Sequence, residues 1–250
     1  MTDSNLSTAL NERSPIWGGW ITSPTLIGPE EFARAGYDYV GFDAQHSYLD
    51  DADIAGVLRR LEHVDIGTAV RLPNADPAPI GRVLDAGADA VIIAMIESAD
   101  QAGAAVAASR YAPAGIRSFG PLRADLGLDP AAHESRVSVF AMIETAAALT
   151  NLTEICAVDG LAGIYIGPAD LALSMGVNPI GSTRHQDVLG AIVRVHRVAT
   201  DAGLITGIHA NEGKTGHAMA QLGFQMITLA AESQALRRGA TAHLREATGQ

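Results

Sequence analysis

The chain has 250 residues, 48% hydrophobic and 18% charged, which excludes a disordered polymer and suits one large globular domain. Its formal net charge of -11 argues against nucleic acid and anionic membrane as partners, because such a surface has little to neutralise phosphate. A single cysteine, Cys156, excludes an internal disulfide; with no hydrophobic leader and no apolar run near the ~18 residues of a membrane span, a cytoplasmic protein is expected.

Residues 1–14 are polar and read as a mobile tail ahead of one domain over 15–250. Strand-like and helix-like segments then alternate. The first four strands are predicted at 16–21, 38–43, 67–72 and 90–96, followed by helices at 29–36, 50–62, 76–86 and 98–109. The last four are predicted at 137–144, 163–167, 204–209 and 224–231, with helices at 145–156, 186–202, 212–222 and 233–246. Strands such as Ala90 to Ile96 are almost continuously apolar, the pattern of a parallel sheet covered by helices. Ala35-Gly36-Tyr37-Asp38 and Ala86-Gly87-Ala88-Asp89 echo each other: the glycine can end a helix in the left-handed conformation and a strand begins at once. Eight such units favour a closed (β/α)8 barrel over an open doubly wound sheet, and no GxGxxG follows the first strand. The longest irregular stretch, 111–136, is a candidate functional loop.

In a barrel, chemistry gathers where strands end. Those positions hold Trp20, then Asp43, Gln45 and His46, then Arg71 and Glu97, then Glu144, Asp170, His209 with Asn211, and Glu232. Each has a plain reading alone. Asp170 can cap a helix, Glu144 can serve a helix dipole, His46 can be a surface histidine and His209 a core one. Arg71 is harder to set aside, since a buried guanidinium needs an anionic partner. Together, Glu144 and Asp170 close two successive apolar strands, with no cysteine and no paired histidines beside them. That describes a hard oxygen site for Mg²⁺ or Mn²⁺, completed by water and substrate oxygens. Such a cation can polarise a carbonyl and hold an enolate; Arg71 can stabilise the same oxyanion and His46 can move the proton. Lys214 is the only lysine among 17 basic residues and lies in a turn leading into a helix, so Schiff-base chemistry is disfavoured.

The motifs in which these residues stand resemble the HpcH/HpaI family of class II, metal-dependent pyruvate aldolases. The resemblance runs from about Gly18 to about Arg238. It rests on Gly19-Trp20, Asp43-Ala44-Gln45-His46, Val70-Arg71-Leu72-Pro73 and Val83-Leu84-Asp85-Ala86-Gly87. It continues through Arg110-Tyr111-Ala112-Pro113-Ala114-Gly115-Ile116-Arg117, Ile143-Glu144-Thr145, Gly167-Pro168-Ala169-Asp170 and Gly207-Ile208-His209-Ala210-Asn211. It implies a (β/α)8 barrel that reversibly cleaves a 4-hydroxy-2-oxoacid into pyruvate, or an analogue such as hydroxypyruvate, and an aldehyde, through an enolate held at the metal. Glu144 and Asp170 would bind Mg²⁺, Mn²⁺ or Co²⁺, and the amides around Ala169 and Asp170 would receive the substrate carboxylate beside Trp20. Arg71 would stabilise the enolate oxygen. His46 would act as acid and base, supported by Asp85 of a neighbouring subunit, which alone reads as a solvated surface residue. A homo-oligomer follows, typically a hexamer in the family.

Four positions depart from the family pattern: Gln45 replaces a common glutamate, Met142 a common glutamine, Ser118 a usual glycine and Glu232 a more usual aspartate. Two rival readings stand beside the aldolase. An acyl-CoA ester lyase of the malyl- or citramalyl-CoA type shares the metal carboxylates but needs cations for the CoA phosphates; the sequence shows no arginine cluster beyond Arg59-Arg60 and Arg237-Arg238, which ranks this reading well below the aldolase. A barrel that binds metal and oxoacid without turnover is the other, kept open by Gln45 and Met142.

Overall fold

Eight parallel strands close in sequence order in the computed structural model, which describes residues 6–12 and 15–249. They are β1 (Ile16–Ile21), β2 (Tyr39–Asp43), β3 (Gly67–Leu72), β4 (Ala90–Ile93), β5 (Ser138–Ile143), β6 (Gly163–Ile166), β7 (Ile205–His209) and β8 (Met226–Ala231). Each pairs with its sequence neighbours, and β8 returns to pair with β1, giving the predicted (β/α)8 barrel.

The strands are apolar on both faces because both are buried. Alternate residues such as Val40, Phe42, Val70, Leu72, Val91 and Ile93 pack outward against the helices. The residues between them, including Tyr39, Ala69, Ile92, Phe140, Met142, Tyr165 and Met226, fill the barrel. Burying each large side chain contributes about 1.5–3 kcal/mol. Gly41 makes one interior placement possible: a Cβ there would lie 2.2 Å from the Trp20 ring. Below Trp20, the hydroxyls of Tyr39 and Tyr165 lie 2.8 and 2.6 Å from Thr228 Oγ1, so these buried polar groups satisfy one another.

The helices begin where side chains can cap them. Asp50 forms a capping box with Asp53, Asp76 accepts from the amide of Ala78, Ser98 from that of Gln101 and Thr145 from that of Ala148. Several segments differ from the sequence expectation, among them an additional helix, Pro168–Ser174, directly after β6. Within the expected tail, Leu6–Glu12 is a helix whose Leu6, Ala9 and Leu10 join the core cluster that fills the barrel; residues 1–5 and 13–14 lie outside the described residues. Strand β4 ends at Ile93, because Met95 takes a left-handed φ of 57° and turns the chain. The helix expected over 145–156 is two, Ala146–Thr150 and Leu152–Cys156, parted at Asn151, whose Nδ2 donates to the Glu97 carbonyl at 2.7 Å. The irregular stretch 111–136 carries a helix, Pro130–Arg136. Among the described residues no helix is long and apolar enough to cross a membrane.

Candidate active site

Strands β2 and β3 end in register, with Asp43 opposite Arg71. Both side chains are buried. The guanidinium grips the carboxylate with two bonds, Nε to Oδ1 at 3.0 Å and Nη2 to Oδ2 at 2.5 Å. The same carboxylate accepts from Trp20 Nε1 at 3.2 Å and from the amides of Gln45 at 2.9 Å and His46 at 3.1 Å. Burial alone would push Asp43 up, but the Arg71 bonds and the two amides overcome it and hold its carboxyl below the usual range. Arg71 also lies over the Trp20 ring, 5.4 Å from its centroid. Asp43 therefore fixes an arginine, a tryptophan and the loop carrying His46. From sequence, Asp43 stands at the mouth without a role, and the one available signal is that Arg71 needs an anion.

Glu144 immediately follows β5 and is 1% exposed. Its Oε1 accepts from the backbone N–H of Met95 at 2.8 Å, which explains the turn after β4. Left-handed backbone is unfavourable for a methionine, so this contact is held against local strain. The other oxygen, Oε2, is buried with no hydrogen-bond partner among the described residues. Gly167 leaves room for it, since a Cβ there would stand 2.6 Å from Oε2 and 2.6 Å from Met142 Cε. Met142 thus forms the apolar wall beside Glu144. Burial raises the Glu144 pKa, the Met95 amide opposes that, and the charge of Asp170 adds to the rise.

Asp170 lies half-buried in the first turn of the helix Pro168–Ser174, next to exposed Ala169. The two carboxylates fit a divalent cation. One offers a buried oxygen with nothing to bind, and a cation between them would relieve both desolvation and mutual repulsion. Among the described residues no group of three or more His, Cys, Asp or Glu side chains gathers around a metal position. Two protein carboxylates would leave the remaining positions to water and substrate oxygens, an arrangement Mg²⁺ tolerates well.

The other mouth residues divide. His46 is exposed, with its backbone amide held by Asp43. His209, half-buried rather than a core residue, meets Trp20 edge-on at 5.0 Å and places Nε2 3.1 Å from Asn211 Oδ1. Burial, then the Arg71 charge, pushes its pKa down to about 4, so it is neutral at pH 7. Glu232 accepts from the Thr22 amide at 3.1 Å and the Ser23 hydroxyl at 2.5 Å, tying the end of β8 to the loop after β1. Lys214 is exposed on the helix Gly213–Leu222. A cavity of about 190 Å³ opens beside Ala169, lined also by Ser182, Arg184, Asn211 and Glu212.

Asp85 is not brought to this mouth. It ends the helix Pro77–Asp85 just before β4 begins, at the opposite end of the barrel, and pairs there with Arg117.

Comparison with known proteins agrees with the barrel fold. The family described as HpcH/HpaI aldolase/citrate lyase matches residues 19–238. The chain is 38% identical over 230 residues to a hydroxypyruvate/pyruvate aldolase of Rhizorhabdus wittichii, covering 91% of this chain and 92% of that one. It is 36% identical over 215 residues to a 4-hydroxy-2-oxovalerate aldolase of Rhodococcus jostii, covering 82% of each. Among solved structures it is similar to an HpcH/HpaI aldolase/citrate lyase family protein from Burkholderia cenocepacia J2315, with TM-score 0.87 and 30% identity over 97% of this chain and 98% of that one. A parallel barrel whose mouth joins two carboxylates to a buried arginine, and a match over most of its length, place the chain in the HpcH/HpaI aldolase/citrate lyase family.

Proposed function

We propose that the protein is a divalent-cation-dependent aldolase, a carbon–carbon lyase that reversibly cleaves a 4-hydroxy-2-oxoacid into pyruvate, or hydroxypyruvate, and an aldehyde. Buried Glu144, with one oxygen held by Met95 and the other unpartnered near Asp170, carries this reading. The names of the two aldolase relatives support the substrate class.

Glu144 and Asp170 would hold Mg²⁺, Mn²⁺ or Co²⁺, which when bound polarises a carbonyl and offsets charge developing on its oxygen. The protein's own groups do the rest. Asp43 occupies Nε and Nη2 of Arg71, leaving Nη1 to donate to the oxygen that gains charge as the carbon–carbon bond breaks. Trp20, fixed by Asp43 and by His209, walls the substrate and keeps the guanidinium oriented. The amides of Ala169 and Asp170 receive the substrate carboxylate. His46 removes the proton from the 4-hydroxyl in cleavage and delivers it to C3 of the pyruvate enolate; in synthesis it takes a proton from the pyruvate methyl group and gives it to the new hydroxyl oxygen. His209 is neutral and adds no charge near Arg71.

By the family resemblance, Asp85 would orient His46 of a second copy, which would make a homo-oligomer the working form; within one chain Asp85 lies at the other end of the barrel from His46. A cytoplasmic location agrees with Cys156, a buried cysteine with no disulfide partner.

Pyruvate release from a 4-hydroxy-2-oxoacid, coupled to lactate dehydrogenase, tests the reading. Chelation is expected to abolish release, and Mg²⁺, Mn²⁺ or Co²⁺ to restore it. Release that continues at full rate after complete metal removal contradicts the mechanism.

A further inference from the structure

We infer that Arg117 is a positioning residue for proton transfer, holding the Asp85 carboxylate of one protomer in place for His46 of a second copy. The inference rests on the reading of Asp85 given above. Exposed arginine–aspartate pairs are mobile and worth little. This pair is built differently. The Arg117 side chain is 1% exposed and its Nη2 donates to Asp85 Oδ1 at 2.6 Å, while the Asp85 side chain remains 18% exposed. The guanidinium lies 4.6 Å over the Tyr111 ring, and the Arg117 backbone is pinned by a bridge to Tyr111 and by its own amide bonding the Arg110 carbonyl at 2.9 Å.

Among the described residues, Arg117 Nε and Nη1 are buried with no hydrogen-bond partner, and Asp85 is the acceptor that compensates this buried cation. An arginine kept for packing alone would be expected to recruit more acceptors. Its charge is instead concentrated on one oxygen of Asp85. The other oxygen is not closed over: Gly120 passes beside it, with room for a Cβ at an ordinary 3.7 Å from Oδ2. The Leu122 amide then bonds the Asp85 carbonyl at 2.8 Å, tying the passing segment to the end of the helix. The groups that bear on the Asp85 carboxylate are Arg117, His133 and Tyr111, all from the stretch 111–136. Ile116, Phe119 and Leu122 stand exposed on the same stretch, which suits contact with a second copy. That segment is shaped around presenting one carboxylate oxygen.

The test is a double-mutant cycle on pyruvate release, with assembly size followed by light scattering. Asp85→Asn and Arg117→Met are each expected to lower kcat by about 10–100-fold, as loss of a group that orients a functional histidine does, with KM changed by no more than about twofold. The double variant is expected to be no slower than Asp85→Asn alone. The acid limb of the kcat profile should move to higher pH in Arg117→Met, because Asp85 loses the neighbour that most lowers its pKa. Arg117→Lys keeps the charge without the planar fork and should recover part of kcat; if Arg117→Met does not assemble, the cycle is read with the lysine variant. Wild-type kcat in an assembled Arg117 variant, or losses that multiply in the double variant, overturns the positioning role. An unchanged kcat in Asp85→Asn instead overturns the reading of Asp85 itself.

Discussion

Glu144→Gln is expected to lower kcat/KM for oxoacid cleavage by about 10³-fold or more, equivalent to roughly 4 kcal/mol of transition-state stabilisation. The substitution keeps shape and burial but removes one of the two charges that would hold the cation. Its effect on the cation-free fold should be opposite in sign to its effect on activity. Burial raises the Glu144 pKa, so the ionised side chain is a cost to the folded state at neutral pH, and a neutral amide relieves it. The cation-free variant should melt at the same temperature as wild type or above it. Added Mn²⁺ should raise the melting temperature of wild type, because the folded state binds it, and leave that of the variant unchanged. Thermal melts with and without Mn²⁺ check both signs. An equal Mn²⁺-induced rise in wild type and variant would place the cation elsewhere.

Asp43→Asn should be the most destabilising change at the mouth, at about 3–5 kcal/mol, because it leaves the buried Arg71 without its counter-charge. It also weakens the bonds from Trp20 and from the Gln45 and His46 amides, so one change disturbs a wall, a cation and a loop. With Arg71 no longer held at Nε and Nη2, kcat should fall by about 10²–10³-fold, the range for removing one oxyanion donor. The pH dependence has a definite sign. The folded-state pKa of Asp43 is depressed, so its stabilisation is fully present above the ordinary carboxylate pKa of about 3.9 and is lost as pH falls through the folded value. Urea melts from pH 6 downward should show wild type losing stability in that acid window and the variant losing less. Parallel curves would remove Asp43 from the acid response.

Local signals in the chain made the barrel legible. Apolar runs of strand length, left-handed glycines before strands and capping side chains before helices all act within a few residues. Glu144, directly after β5, and Asp170, in the first turn of the helix that follows β6, stood out for the same reason, since a carboxylate beside an apolar strand has no packing role. Arg71 and Asp43 were visible at the mouth, but their pairing depends on the register of β2 against β3, across 28 positions of sequence. The Arg117–Asp85 pair spans 32 and gave no local sign. Met95 was hidden differently: methionine carries no mark of left-handed backbone, and the apolar run to Ile96 read as uninterrupted strand. At the N-terminus, polar residues masked Leu6, Ala9 and Leu10, although their helical spacing was the available clue.

Exchange of the pyruvate methyl protons in D₂O, followed by proton NMR, tests the central claim most directly, because it needs no aldehyde and isolates enolate formation at this mouth. With Mg²⁺ added, the wild-type protein should exchange the methyl protons catalytically. Chelation should stop the exchange, and His46→Ala should slow it by about 10²–10⁴-fold. Exchange that persists without a divalent cation, or none in the Mg²⁺-loaded wild type, contradicts the account.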